Sequence, residues 1–194
     1  YFFNMDEYMI DGNTCIPEGH RLSFRRSMNE TVYSKIDEEL NIPSSHRFFP
    51  IPETRKAYTE TLRSLGGPDI CFGGIGINGH VAFNEADPSL TAQEMAEKET
   101  RTLKISAETV TANAIGDLGG AIEDMPRYAS TVGMKEILSA KKIVLGVFRP
   151  WHRAVVRRAS CGEVSAAFPV TLLQNHPDAM ILVNDVASAK AVEQ

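Results

Sequence analysis

The chain has 194 residues, 43% hydrophobic and 23% charged, which supplies enough apolar material for one well-buried domain and excludes disorder as its dominant state. The formal net charge of −5 leaves no basic surplus, so a general binder of the nucleic-acid backbone is excluded, and no apolar stretch is long enough to span a bilayer. Three cysteines, Cys15, Cys71 and Cys161, are odd in number and widely spaced, which argues against a disulfide framework or a zinc site and predicts a reducing, cytoplasmic setting.

Tyr1-Phe2-Phe3 reads as the middle of a buried strand without signal-peptide character, and residues are expected to precede it. A loop with Asp11-Gly12 then leads to a helix over about 21–36, where Met28, Val32 and Ile36 share one face. Phe48-Phe49 is a weak strand between prolines. Residues 52–65 read as a helix with Pro52 in its first turn, closed by Gly66-Gly67-Pro68. Residues 70–75 form a predicted buried strand running into glycines, 142–147 and 180–183 are two more, and 101–105 is a predicted edge strand. Further helices are expected over 135–139, 151–159 and 169–173, and 187–194 reads as a helix cut short. Residues 107–125 mix Thr, Ala and Gly with few large apolar side chains, and read either as a mobile flap or as a plain surface excursion.

This alternation predicts the α/β class: a doubly wound, mostly parallel sheet with helices on both faces, a Rossmann-like three-layer sandwich, in one domain over 1–194. In such sheets ligands gather beyond the carboxyl ends of the strands, where 4–8 and 73–85 fall. Gly74-x-Gly76-x-x-Gly79 after a strand invites a dinucleotide reading. That fingerprint requires a helix after its third glycine, and here His80-Val81-Ala82-Phe83-Asn84-Glu85-Ala86-Asp87-Pro88 follows, with Pro88 limiting any helix to a short one. The same glycines let a substrate approach backbone N–H groups closely. His80 alone fits a structural hydrogen-bonder. With Glu85 five residues on, it becomes an acid/base candidate. Asp6 and Glu7 face the same crevice in this reading, with a helix or loop cap as the alternative for a bare acidic pair.

Asn4-Met5-Asp6-Glu7-Tyr8, the segment Gly73-Gly74-Ile75-Gly76-Ile77-Asn78-Gly79-His80-Val81-Ala82-Phe83-Asn84-Glu85, Tyr128-Ala129-Ser130-Thr131-Val132-Gly133-Met134 and Leu173-Gln174-Asn175-His176-Pro177 occur in order along nearly the whole chain. Together they resemble the glucosamine-6-phosphate deaminase (isomerase) family. The resemblance implies conversion of an amino sugar phosphate to a ketose phosphate and ammonia, with no metal or organic cofactor. It implies Asp6 as the proton-transferring base at C2, His80 as the histidine assisting ring opening, Glu85 as the glutamate coupled to it, and Gly73 and Gly74 packed against the sugar.

The chain departs from that pattern at several positions. Asn78 stands where the family usually has Asp, so it supplies no negative charge and His80 is expected to lose its proton more readily. The family's phosphate-binding arginine falls on Ile115. Its phosphate-binding lysine falls among Arg149, His152 and Arg153, of which Arg153, followed by Ala154, fits best. The phosphate loop preceding the Asp-Glu pair would lie before Tyr1. Arg101 falls near an effector-binding position of some members, but Leu103 stands where a second basic residue would be, so regulation is not implied. The expected partner is a small sugar phosphate, with no nucleic acid and no membrane, and the expected assembly is a homo-oligomer. A 6-phosphogluconolactonase-like hydrolase, for which Asp6 would be dispensable, and a non-catalytic sugar-phosphate-binding domain remain the alternatives.

Overall fold

In chain order the elements of the computed structural model, which describes residues 1–190, are β1 (Phe2–Phe3), β2 (Asp6–Met9), α1 (Phe24–Thr31), β3 (Arg47–Phe48), α2 (Arg55–Ser64), β4 (Ile70–Gly73), α3 (Ala92–Ala96), β5 (Arg101–Lys104), α4 (Ala107–Leu118), β6 (Tyr128–Thr131), α5 (Met134–Leu138), β7 (Lys142–Val147), α6 (His152–Cys161), β8 (Ala179–Val183) and α7 (Asp185–Ser188). The architecture is mixed α/β, as the alternation of strand and helix patterns implies. Three of the five strand pairings are parallel: β1 with β3, β4 with β7, and β7 with β8. Among the described residues the strands fall into three sheets rather than the single sheet expected from sequence, because β2 and β5 pair antiparallel with β6, forming a sheet that needs no crossover helix. Two compact units emerge, 1–65 with 100–132, and 66–99 with 133–190.

The first unit holds β2-β6-β5, the β1–β3 pair, α1, α2 and α4. Ser23 caps α1 by accepting from the Arg26 N–H, so the helix begins three residues later than its apolar pattern suggests. Asn4 fixes the chain between β1 and β2: its amide donates to the Phe48 carbonyl (2.9 Å) and the Tyr33 hydroxyl (3.0 Å), and Tyr58 Oη donates to its carbonyl (3.0 Å). This linkage of elements distant in sequence sets where β2, and with it Asp6, starts. Arg55 of α2 donates to the hydroxyls of Thr102 and Ser130, tying the helix to β5 and β6. Residues 107–118 are helical rather than irregular. Ser106 caps α4, Thr109, Val110 and Ala114 are buried, and Gly119 ends it in the left-handed region at φ 62°. Small apolar residues spaced four apart carry too weak a periodic signal to reveal that face from sequence.

In the second unit β7 is central, and Ile143, Leu145 and Val147 are almost fully buried, each contributing about 1.5–3 kcal/mol. The flanking strands correct an expectation. β4 and β8 are apolar but not buried through: Ile70 is 50% exposed, Phe72 67% and Leu182 49%. Successive side chains point to opposite faces, and the register places Phe72 beside Val144 and Gly146 beside Leu182, so these residues share one sheet face. Residues 169–173 belong to a 3-10 helix, Pro169–Asn175, rather than to an α-helix. The helix read over 187–194 ends at Ser188, and its last four positions lie outside the described residues.

Candidate active site

Asp6 opens β2 opposite Thr131 of β6, so it belongs to a strand rather than to a loop beyond one. The residue keeps some exposed surface, yet its carboxyl lies deep enough that desolvation, with the Glu7 charge adding to it, pushes its pKa up to about 7. A carboxyl poised near neutrality can both accept and return a proton.

Glu7, one residue later, points into the opposite environment. It is fully buried, and its carboxylate accepts from the backbone N–H groups of Tyr8 (2.9 Å), Phe24 (3.0 Å) and Arg25 (3.1 Å), from Ser23 Oγ (2.8 Å) and from Arg25 Nε (2.9 Å). It therefore occupies the N-terminus of α1, where otherwise unpaired N–H groups and the helix dipole favour an anion. The two readings of the acidic pair are thus divided: Glu7 is the structural cap, and Asp6 is the perturbed acid. Sequence alone did not separate them because the donors to Glu7 come from residues 23–25.

The second unit builds its site where β4 ends. Gly73 is the last residue of β4, and Gly74 follows at the strand's carboxyl end, with the position of an added Cβ 3.5 Å from the Gly146 carbonyl of β7. The chain then reverses: the Gly76 N–H donates to the His80 carbonyl (2.9 Å), and Gly79 takes φ 80°. Gly76 has a further role that its spacing did not disclose. A Cβ there would lie 1.9–2.3 Å from atoms of the His80 ring, so the imidazole occupies the space a side chain would fill. Ala82 is held at φ 54°, an uncommon conformation for a residue with a Cβ and a local cost at a loop that carries acid/base groups.

This reversal brings Asn78, His80 and Glu85 together. Asn78 Nδ2 lies 2.6 Å from Glu85 Oε2, Asn78 Oδ1 lies 2.7 Å from His80 Nδ1, and His80 Nδ1 lies 3.6 Å from Glu85 Oε2. His80 is 8% exposed, and burial lowers its pKa while the Glu85 charge opposes that shift.

The start of α6 is fastened to the same loop by His152. Its Nδ1 accepts from the Arg149 N–H (2.9 Å), so the ring's proton sits on Nε2 and is donated to the Ile75 carbonyl (3.0 Å). Burial lowers the pKa of this imidazole too, which suits a neutral structural role. Arg149 and Arg153 accordingly stand just past the carboxyl end of β7, where the first turn of α6 also presents its N–H groups. Arg153 Nε donates to the Val186 carbonyl (2.8 Å). Ile115, on α4, is 66% exposed. Among the described residues no group of three or more His, Cys, Asp or Glu side chains has an arrangement that could hold a metal ion, and no helix is long and apolar enough to cross a membrane.

No protein-family model matches the chain. The glucosamine-6-phosphate deaminase of Staphylococcus haemolyticus (strain JCSC1435) is 32% identical over 187 residues, covering 94% of this chain and 72% of that protein. A solved structure described as a monomeric glucosamine-6-phosphate deaminase of the NagB superfamily matches with a TM-score of 0.80 at 30% identity, over 96% of this chain and 73% of that one. The 6-phosphogluconolactonase of Trypanosoma brucei matches with a TM-score of 0.65 at 17% identity, over 96% and 72% of the two chains, which is a likeness of fold alone.

Proposed function

Because the chain belongs to the glucosamine-6-phosphate deaminase family, we propose that residues 1–194 work as one sugar-phosphate domain that turns a hexosamine phosphate into a ketose phosphate and ammonia. Glucosamine 6-phosphate or a close relative is the substrate. His80 assists opening of the pyranose by taking the proton of the anomeric hydroxyl and delivering it to the ring oxygen, with Glu85 coupled to it. Asp6, as carboxylate, removes the proton at C2 and returns it at C1. With that transfer a proton passes from the amino nitrogen to the C1 oxygen, leaving an imine at C2; water adds across its C=N bond and the resulting carbinolamine expels ammonia, so the deamination is hydrolytic. Each step moves a proton between positioned groups, which carboxylate and imidazole accomplish without a cofactor.

Gly73 and Gly74 let the sugar approach the backbone, while Arg153 and Arg149 supply charge-assisted donors to the phosphate. The observation that carries this reading is the contrast within Asp6-Glu7: one carboxylate is saturated by five hydrogen bonds, and its neighbour is held near neutrality. A lactone hydrolase has no use for a base at C2. The deciding experiment is deuterium incorporation from solvent at the substrate carbon, followed with ammonia release, for the chain and for Asp6→Asn. Loss of both with ligand binding retained is the expected result, and undiminished exchange in the variant overturns the assignment.

The reading extends to a reducing cytoplasm, supported by three free cysteines of which Cys15 and Cys71 have thiols pushed by burial up to about 11. It also extends to a homo-oligomer, supported by the open apolar face of β4 and β8, since parallel sheets are ordinarily covered on both faces.

A further inference from the structure

Asn78 lies between the imidazole and the carboxylate, and three contacts determine which way its amide points. The His80 backbone N–H can only donate, and it meets Asn78 Oδ1 at 3.3 Å, which identifies that atom as the carbonyl oxygen. The other end of the amide is therefore the NH2 group, and it meets Glu85 Oε2 at 2.6 Å. With its orientation so set, the amide oxygen at 2.7 Å from His80 Nδ1 can only accept, and the proton of the neutral ring must sit on Nδ1. The direct approach of His80 Nδ1 to Glu85, 3.6 Å, is too long to compete as a hydrogen bond.

From this geometry we infer that Asn78 is a positioning residue which locks His80 in its Nδ1–H tautomer, so that Nε2 carries the lone pair for proton transfer and the Glu85 carboxylate is coupled to the ring through a neutral amide. The inference rests on the reading of His80 as the ring-opening base, and it adds what that reading lacks: which nitrogen reacts and what selects it. An aspartate at position 78 would also accept from Nδ1, but it has no hydrogen to offer Glu85 unless it is itself protonated. Two carboxylates would then stand at the 2.6 Å contact that the amide now bridges. Asn therefore offers one neighbour an oxygen and the other an NH2 group, whereas Asp would require an additional shared proton to bridge the same two contacts.

Gly76 supports the lock from the other side, because the ring fills the space beside its Cα and has little freedom to turn. The Glu85 charge acts on His80, and Phe83 presents an aromatic ring at 6.0 Å.

The test uses the full chain without ligand, labelled with 15N at histidine. Long-range proton–nitrogen spectra report which ring nitrogen is protonated, independently of turnover. The expected result is Nδ1–H in the unaltered chain and in Asn78→Asp, and a mixture or Nε2–H in Asn78→Ala. In parallel, Asn78→Asp is expected to move the acid limb of the ammonia-release profile upward by on the order of one pH unit or more, since it places a negative charge beside the ring. Nε2–H in the unaltered chain, or an Asn78→Ala spectrum identical to it, overturns the inference whatever the activity. Should the tautomers follow expectation while no variant releases ammonia, the lock stands and the deaminase reading of the site fails.

Discussion

Asp6→Asn should make the protein more stable and less active, and the stability change has a definite pH signature. The folded state holds the Asp6 carboxyl at about 7 against an ordinary value of 3.8. A folded pKa above the unfolded one means that the protonated form is favoured by folding. The associated stability is fully present below about pH 4 and is lost as pH rises through 7. Three units of displacement correspond to about 4 kcal/mol at 1.36 kcal/mol per unit. An asparagine has no ionisation to suppress. Relative to the native chain the variant should therefore gain nothing near pH 3, about 1–2 kcal/mol at pH 5, and about 4 kcal/mol at pH 8, which is roughly 8–16 °C in Tm for a chain of this size. Urea or thermal unfolding of both proteins at three pH values measures the difference. A gain that is independent of pH, or absent at pH 8, would show that Asp6 is not held near neutrality and would remove the physical basis for making it the C2 base.

Glu7→Ala should act in the opposite direction, destabilising by about 3–5 kcal/mol, because it removes the acceptor shared by five donors and leaves Arg25 without its ion partner; chemical denaturation reads this directly, and a loss under 1 kcal/mol would contradict the capping role. Gly76→Ala places a methyl group where the His80 ring now sits and should lower turnover on the order of a hundredfold to ten thousandfold while the circular dichroism spectrum stays native. Retained turnover would mean that the imidazole can move aside at no cost to the reaction. Arg153→Ala should weaken binding of the phosphorylated sugar about tenfold to a hundredfold and leave its unphosphorylated counterpart almost unaffected. Calorimetric titration with the two ligands decides it, and equal weakening of both would count against a phosphate contact.

How much of this was legible beforehand depends on how far along the chain each feature finds its partners. Asn78, His80 and Glu85 lie within eight residues of one another, and a single glycine-assisted reversal brings them together, so the local pattern sufficed to nominate them. The two roles inside Asp6-Glu7 were not separable, since the donors to Glu7 come from Ser23 to Arg25 and the start of β2 is set by Phe48, Tyr33 and Tyr58. The helix over 107–118 gives little periodic signal in the sequence despite its Ser106 cap and Gly119 stop, because its buried positions are filled by Thr, Val and Ala.

The sequence by itself determined the α/β class, the glycine turn after β4 that gathers Asn78, His80 and Glu85, and the family pattern, all of which rest on local spacing and on the order of motifs. Tertiary structure alone decided which face of each apolar strand is covered. Ile70 and Phe72 look as buried as Ile143 and Leu145 in a hydrophobicity profile, but a strand's side chains alternate between two faces and only packing distinguishes them. It also decided the protonation chemistry. The displacement of the Asp6 carboxyl arises from desolvation and a neighbouring charge, and the His80 tautomer follows from which amide atom faces which partner. These are properties of three-dimensional surroundings, which residue identity constrains without specifying.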